Sequence, residues 1–396
     1  MADAVRRVAS FAIMSDLHCR LSSDSNDSND SFLEVGALRL PAGRSPQQAL
    51  LNLIDELNLR ADALLVPGDL TNKALREGLS QSWDIVLEVG RKLRTDSVLA
   101  VLGNHDIDSH KRYPNQDPFF NTRNLRPGFP FVDEHARQRF FSDGFCVLRV
   151  GGHAEVVAVN TVIDHHDEHL AKRGGFDVPR IEALRKYLRG LPICPIRVGM
   201  MHHHPILHTA PFLSDADVIP TGDELIKALR QFGCQLIVHG HRHVPRLTMH
   251  NGVAVFAAGS FSANLGIYAT SVSNMFHLVT LEEVEGYVTG RIRTWVYRHG
   301  EGWAFAHPIH SGFPASTGFD SRVNPNMVLS AIVDLATSDP GRKTFDHISL
   351  STIIPQMYYL PPDTFAELQG RLKSMGMRLV DPLENGAYEL WRLVDR

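Results

Sequence analysis

Five short polar clusters stand out because their side chains are of the kinds that bind metals and transfer protons. They are Asp16-Leu17-His18, Gly68-Asp69, Gly103-Asn104-His105-Asp106, His202-His203-His204-Pro205 and Gly240-His241-Arg242-His243. The potential ligands in these clusters are carboxylates, imidazoles and one amide. This donor set favours Mn, Fe or Zn, and disfavours Ca²⁺ or Mg²⁺ cages and soft Cu(I) sites.

Each cluster comes at or near the end of a short apolar run that predicts a buried strand. The predicted strands are Val8–Met14, Ala63–Val66, Val98–Leu102, Glu155–Val159, Ile196–Met200, Gln235–Val238 and Val253–Ala257. Predicted helices alternate with them at Pro46–Leu59, Leu75–Leu93, Pro179–Leu188 and Asp223–Gln231. This alternation is typical of an α/β fold with helices covering the sheets.

The predicted strands deliver all five clusters to one place, because sites in open α/β sheets form at the carboxyl ends of strands. Asp16 and His18 are two residues apart, as are His241 and His243, so each pair can face one centre. A carboxylate can also bridge two cations. Two metals would then clamp the attacking and leaving oxygens of an in-line displacement.

Taken in order, the motifs Asp-x-His, Gly-Asp, Gly-Asn-His-Asp, His-x-Pro and Gly-His-x-His resemble those of the calcineurin-like metallophosphoesterase superfamily. The resemblance covers roughly Ala9 to Phe305. It implies a four-layer α/β/β/α sandwich of two mixed sheets with a binuclear metal site between them. It also implies two ligand sets that share Asp69 as the bridge: Asp16, His18, Asp69 and His243 for the first metal, and Asp69, Asn104, His203 and His241 for the second.

The same resemblance implies roles for the residues beside the metals. A metal-bridging hydroxide attacks phosphorus, and Asn104 and His105 meet the charge on the phosphate oxygens. His105 does not bind metal but stabilises the transition state or protonates the leaving group, and Asp106 orients His105. Counting back from Pro205 in the His-x-Pro motif selects His203. A shift of one residue would select His202 or His204 instead.

Three functions are consistent with these residues. The first is a phosphodiesterase for small substrates, such as cyclic nucleotides or other nucleotide or glycerol phosphodiesters. The second is a DNA or RNA nuclease of the same superfamily, which the balance of 40 Lys and Arg against 44 Asp and Glu disfavours. The third is a catalytically silent interaction scaffold, which is disfavoured because every ligand position is filled and His105 is present.

The composition sets the cellular context. The chain has 396 residues, of which 43% are hydrophobic and 21% charged, and this excludes a disordered or coiled-coil protein. No apolar run reaches the roughly 18 residues of a membrane span, so no membrane partner is expected. The four cysteines are scattered without a Cys-x-x-Cys pair, which favours a reducing, cytoplasmic location.

The domain organisation is predicted from composition. Residues 1–310 form the metallophosphoesterase domain, 311–325 are a Gly-, Pro- and Ser-rich linker, and 326–396 are a small α+β module. Within the module we expect helices at Met327–Ala336 and Thr364–Met375 and a hairpin of Met377–Val380 with Tyr388–Val394. A helix followed by a hairpin resembles a winged helix. Residues 363–396 carry five positive and six negative side chains, which favours a protein partner or homodimerisation over DNA binding.

Overall fold

The fold is taken from a computed structural model of the chain. It describes residues 7–24, 31–36, 40–166, 173–208, 217–263, 265, 272–284, 286–339, 341–346, 350, 352–381 and 389–392. Two mixed β-sheets and their covering helices make up residues 7–319, which confirms the predicted α/β class with two mixed sheets. A small three-stranded sheet follows in the C-terminal module.

The first sheet has seven strands and contains the strands that precede the first three motifs. Its strands are β1 (Arg7–Ile13), β2 (Ala63–Val66), β3 (Val98–Ala100), β10 (Asn274–Val284), β11 (Tyr287–Arg298), β12 (Gly302–Phe305) and β13 (Ser316–Phe319). The order is β12-β11-β10-β1-β2-β3, with β13 pairing with β11. Strands β1, β2 and β3 are parallel, so their carboxyl ends lie at one edge.

The second sheet has six strands and contains those that precede the two histidine motifs. Its strands are β4 (Phe145–Val150), β5 (Ala154–Val159), β6 (Ile196–Met200), β7 (Cys234–His239), β8 (Arg246–His250) and β9 (Val253–Ala257). The order is β4-β5-β6-β7-β9-β8, in which β5, β6, β7 and β9 are parallel. The antiparallel strands β4 and β8 close the two edges.

The helices lie between the strands in the chain, as the sequence predicts. They are α1 (Pro46–Glu56), α2 (Arg76–Lys92), α3 (Phe120–Asn124), α4 (Glu134–Ser142), α5 (Val178–Arg189), α6 (Gly222–Gln231), α7 (Pro308–Ser311), α8 (Pro325–Ser338) and α9 (Pro362–Ser374). Helix α1 shows why a boundary can be predicted: the Ser45 hydroxyl accepts a hydrogen bond from the Gln48 N–H at 3.2 Å, and Pro46 follows as the first helical residue.

The main hydrophobic core includes side chains from both large sheets. Phe11 and Leu65 of the first sheet belong to the same buried cluster as Val198 and Leu236 of the second. A second cluster packs residues of β5, β7 and β9, among them Val157 and Ile237, against α5 and α6. The shared core fixes the two sheets against each other, and therefore fixes the loops at their carboxyl ends.

The segment predicted to be a linker, 311–325, contributes to the first sheet instead. Its residues Ser316–Phe319 form β13 and pair antiparallel with Gly290–Arg293 of β11. The linker prediction is therefore wrong for these four residues. The strand could not be predicted because Ser-Thr-Gly-Phe lacks the apolar alternation that marks a strand. The strand also contacts the C-terminal module, since the Thr317 hydroxyl donates a hydrogen bond to the Leu360 carbonyl at 3.3 Å.

The C-terminal module has its own core and sheet. Strands β14 (Thr344–Phe345), β15 (Met377–Leu379) and β16 (Leu390–Arg392) are arranged in the order β14-β16-β15, and α8 and α9 pack on a separate buried cluster. The predicted antiparallel pairing of the last two strands is present, while the turn at 382–388 lies outside the described residues. The exact domain limits and the winged-helix interpretation stay predictions.

Two further expectations concern the environment of the chain. Among the residues that the structure describes, no helix is both long and apolar enough to cross a membrane. All four cysteines (Cys19, Cys146, Cys194 and Cys234) are unpaired.

Candidate metal centre

The loops after the strands hold several of the predicted ligands in an unfavourable backbone conformation. The φ angles are 53° at Asp16, 49° at His18, 54° at Asp69, 87° at His241 and 61° at His243. A non-glycine residue in this left-handed region costs of the order of 1 kcal/mol or more, and such strain is found preferentially at functional sites. The backbone is therefore bent at the positions where the sequence predicts metal ligands.

The structure brings the first group of predicted ligands together at the ends of β1, β2 and β7. His18 Nε2 lies 3.0 Å from His243 Nε2 and 3.5 Å from Asp69 Oδ2. Asp16 Oδ1 is 3.5 Å from His243 Nε2. Asp16, His18 and His243 offer ligand atoms within 4.8 Å of one another, which suits a single cation.

The second group lies beside the first and shares Asp69 with it. Asp69 Oδ2 is 3.3 Å from His202 Nε2, and Asn104 Oδ1 is 3.2 Å from the same nitrogen. His241 Nδ1 is 3.1 Å from Asn104 Oδ1. A single carboxylate oxygen of Asp69 thus faces an imidazole of each group, at 3.5 Å from His18 and 3.3 Å from His202. That is the arrangement of a bridging ligand.

The three consecutive histidines after β6 point in different directions. His202 Nδ1 hydrogen-bonds the Pro67 carbonyl at 2.7 Å, and this contact directs Nε2 towards Asp69 and Asn104. His203, which the sequence favoured, has its Nδ1 beside the Thr161 hydroxyl at 2.9 Å. His203 Nε2 is buried and has no hydrogen-bond partner within the described part of the chain. His202, His203 and His241 also lie close enough to share one ion.

His105 lies at the rim of the two groups, partly exposed. Its ring packs edge-on against the His18 ring with centroids 4.8 Å apart. Its backbone N–H donates a hydrogen bond to Asp69 Oδ1 at 2.8 Å, so this loop also orients the bridging carboxylate. The ring of His105 also lies close enough to His18 and Asp69 to share an ion with them, so its predicted role beside the metals stays a prediction.

Asp106 differs from its predicted role. Its carboxylate accepts hydrogen bonds from the backbone N–H groups of Asp69 and Gly103 at 2.9 Å and of Leu70 and Thr71 at 2.8 and 3.1 Å. The prediction that Asp106 orients the His105 ring is corrected accordingly: these bonds tie together the two loops that follow β2 and β3. Asp106 is a positioning residue for the loop of Asp69.

The electrostatics of the two groups match what cations require. Burial lowers the pKa of His18 well below its usual range, that of His243 to about 3 and that of His241 to about 4. Neutral imidazoles are the form that binds metal. Burial raises the pKa of Asp16 to about 7, opposed by His202 and reinforced by the nearby Asp69 carboxylate. Crowding of two buried carboxylates with neutral imidazoles favours binding of positive ions.

The pKa of His202 shifts the other way. Burial alone would lower it, but attraction by the Asp69 carboxylate and a hydrogen bond to it outweigh burial and raise the pKa to about 9. The pKa of Asp69 lies well below its usual range, because attraction by His202 and His105 exceeds the effect of burial. In the absence of metal these two side chains form a buried ion pair, which a cation bound between them would replace.

The donor set therefore fits a pair of transition metals. Oxygen and neutral nitrogen donors converge in two adjacent groups, and the shared Asp69 carboxylate links them. The tight turns around the ligands leave little freedom: a Cβ added at Gly103 would lie 2.1 Å from Asp69 Oδ1. The glycine after β3 is thus required for the approach of the bridging carboxylate.

Several residues that hold the candidate ligands carry no recognisable motif in the sequence. Asp217 Oδ1 lies 3.2 Å from His241 Nε2, on the side of the ring opposite Asn104. Asp217 Oδ2 also lies 3.4 Å from Arg242 Nε. The Ser15 hydroxyl donates a hydrogen bond to Asp16 Oδ2 at 2.5 Å. Neighbours such as these fix the ring or carboxylate orientation and tune its basicity.

Comparison with known proteins agrees with this geometry. The calcineurin-like phosphoesterase family matches residues 9–245, which is more than half of the chain. The chain belongs to this family, as its motifs predict, and the family is one of dimetal-dependent phosphoester hydrolases. No curated protein sequence matches the chain.

Solved structures with a similar fold include three phosphatases or nucleotidases. A dimetal phosphatase from Danio rerio has a TM-score of 0.43 at 13% identity, over 75% of this chain and 98% of that one. A purple acid phosphatase from yellow lupin (Lupinus luteus) has a TM-score of 0.46 at 14% identity, over 79% and 54%. A putative 5'-nucleotidase from Staphylococcus aureus has a TM-score of 0.39 at 16% identity, over 70% and 53%.

Proposed function

We propose that this phosphoesterase is a phosphodiesterase that hydrolyses small phosphodiesters, such as cyclic nucleotides or other nucleotide or glycerol diesters. The observation that carries the proposal is the convergence of two ligand groups on the Asp69 carboxylate, with the partly exposed His105 beside them. We propose Mn, Fe or Zn as the metals, because the ligands are imidazoles and carboxylates with one amide. When bound, two such cations supply Lewis acidity towards water and the phosphate oxygens.

The residues of the chain have distinct tasks in this proposal. Asp16, His18, Asp69 and His243 would hold one cation, and Asp69, Asn104, His202 and His241 the other. We propose His202 in place of His203, because its Nε2 faces both Asp69 and Asn104 while the Pro67 carbonyl anchors its Nδ1. This pattern, with one ring nitrogen at the ligand site and the other on a carbonyl, is typical of metal-binding histidines.

His105 would contact the substrate phosphate from the open side of the site. Its Nδ1 accepts a hydrogen bond from the Lys73 N–H at 3.4 Å, which leaves Nε2 to donate a proton. A ring oriented in this way can stabilise charge on a phosphate oxygen or protonate the leaving group. Asp106 would act through the backbone, by keeping the loops of Asp69 and His105 together.

A small substrate is also supported by the ion pairs of three arginines on α3 and α4. Arg123 pairs with Asp117 at 3.0 Å, Arg137 with Glu134 at 3.0 Å and Arg139 with Asp143 at 2.9 Å. The charges of these three arginines are compensated within the chain, so they do not add to an unpaired basic surface of the kind that binds a nucleic-acid backbone. A nuclease remains the alternative, and cleavage of oligonucleotides at a rate comparable to that of small diesters would favour it.

The test is Asp69→Asn, assayed with an activated aryl phosphodiester and an activated aryl phosphomonoester in the presence of Mn²⁺. We expect a loss of more than about 100-fold in kcat/KM, because the shared ligand of both cations is weakened. Asp84→Asn, at an exposed position on α2, is the matched control and should retain full activity. Near wild-type turnover by Asp69→Asn would refute the site, and a preference of wild type for the monoester would refute the diester proposal.

Two proposals concern the setting of the protein. The four unpaired cysteines fit the reducing cytoplasm that the sequence predicts, and cell fractionation would test this location. We also propose that the C-terminal module contacts a protein partner or a second copy of the chain. Sedimentation of the full chain and of a chain lacking the module would distinguish these two uses.

A further inference from the structure

A cavity of about 510 Å³ lies away from the metal centre, against one face of the first sheet. Its walls include Thr280 of β10, Arg291 and Arg293 of β11, Phe305 of β12, Ser316 of β13 and Tyr359 of the C-terminal module. Cavities of 300–1,000 Å³ are typical of small-molecule sites, and interfaces between structural units are a frequent place for them. The size and the position both suit a ligand.

The cavity is separated from the metal centre along β1. Thr280 pairs with Ser10, and Glu282, a further wall residue, pairs with Val8 near the beginning of that strand. The metal ligand Asp16 follows the opposite end of β1. Six residues of extended chain from Ser10 to Asp16 span about 20 Å, and the arginines of the cavity lie on β11, two strands away from β1, so the cavity is a site separate from the metal centre.

Two arginines give the cavity its charge. Arg291 and Arg293 are two residues apart on β11 and therefore lie on the same face of the strand. Arg291 donates a hydrogen bond to the Ser316 hydroxyl at 2.9 Å and stacks over the Tyr358 ring at 4.6 Å. These contacts hold its guanidinium in place without neutralising it.

Arg293 is half-buried, and its guanidinium lies over the Trp295 ring at 4.8 Å. Within the described part of the chain, no carboxylate lies within ion-pair distance of Arg293. Burial and the nearby Arg291 lower the pKa of Arg293. A half-buried guanidinium next to a second one favours binding of an anion, and arginine pairs match phosphate geometry well.

We propose that this cavity is a second ligand site that binds a nucleoside monophosphate. The phosphate lies between Arg291 and Arg293, where the hydroxyls of Thr280 and Ser316 can also donate hydrogen bonds. The planar base packs against the aromatic rings of Phe305 and Tyr359. Glu282, which lines the same cavity, accepts a hydrogen bond from a ribose hydroxyl or a base amine and leaves a net positive charge for the phosphate.

The experiment is isothermal titration of the metal-loaded full chain with AMP, GMP, adenosine and inorganic phosphate. Because a nucleotide can also bind at the metals, the expected stoichiometry for AMP is two per wild-type chain and one per Arg293→Gln chain. Arg293→Gln should weaken binding at the second site by about 10-fold to 100-fold, as expected for loss of hydrogen bonds to a charged group. Arg298→Gln, at an exposed position of the same strand outside the cavity, is the matched control.

Hydrolysis of the aryl phosphodiester by Arg293→Gln should stay within about twofold of wild type, because Arg293 lies on β11, two strands away from the strand that Asp16 and His18 follow. The proposal is overturned if Arg293→Gln binds AMP with the stoichiometry and affinities of wild type. It is equally overturned if inorganic phosphate or adenosine binds the second site as tightly as AMP. These results do not depend on whether the chain prefers diesters.

Discussion

Exchange of single histidines after β6 would decide which ring binds the second metal. In His202→Gln the imidazole that faces Asp69 at 3.3 Å and Asn104 at 3.2 Å is lost. Loss of a residue that merely supports a ligand lowers metal affinity about 10-fold to 100-fold, so loss of the ligand itself should reach at least the upper value. A factor of 100 corresponds to about 2.7 kcal/mol of binding free energy.

His203→Gln is the matched variant, at the next residue and with the same exchange. His203 packs against the His241 ring with centroids 4.5 Å apart and bonds Thr161, so it supports a ligand. Its replacement should lower metal affinity by about 10-fold or less. We therefore expect His202→Gln to retain one metal per chain after dialysis against a weak chelator, and His203→Gln to retain two.

Elemental analysis of the dialysed proteins gives the metal content, and turnover of an aryl phosphodiester at saturating Mn²⁺ provides a second measurement. Circular dichroism and thermal unfolding show whether both variants are folded. Loss of one metal from His203→Gln together with full occupancy of His202→Gln would refute our reasoning from the ring orientations. It would restore the assignment that the His-x-Pro spacing favours.

Three other exchanges test separate features. Asp217→Asn removes the negative charge beside His241 Nε2 and should lower metal affinity or kcat/KM by about 10-fold to 100-fold; an unchanged chelator titration would contradict this. Gly103→Ala places a Cβ 2.1 Å from Asp69 Oδ1 and should lower kcat by about 10-fold or more, whereas Gly152→Ala, at a position with open space, should leave kcat unchanged. His277 is buried, and burial lowers its pKa to about 3, so below about pH 6.5 the unfolded chain binds a proton that the folded chain does not. The contribution of His277 to the free energy of unfolding is thus present above pH 6.5 and is lost as the pH falls. In urea unfolding, the free energy of unfolding of wild type relative to His277→Gln should fall by about 2 kcal/mol between pH 7 and pH 5. A difference that does not change with pH would contradict the neutral state of the ring.

The sequence alone predicts which residues come together at the ends of the parallel strands. The apolar strands and the glycine-containing turns behind Asp69 and Asn104 are local features, and the parallel strands bring their ends together. The choice among His202, His203 and His204 was not accessible, because it depends on where β6 ends and on the Pro67 carbonyl, which is remote in sequence.

Contacts between loops that are remote in sequence could not be predicted either. Asp217 lies 24 residues before His241 in the chain, in a region with no motif, and only the folded structure brings them together. The motif places the buried Asp106 carboxylate beside the site, but its hydrogen-bond partners are backbone N–H groups, which a residue pattern does not specify. Strand β13 was missed since its pairing with β11, rather than its composition, makes it a strand.

The ligands come from both halves of the molecule, with Asp69 and Asn104 following strands of one sheet and His202 and His241 following strands of the other. An isolated N-terminal fragment therefore carries only part of either coordination sphere. Under the proposed ligand assignment, a newly made chain can acquire its full metal complement only after the two large sheets have packed together.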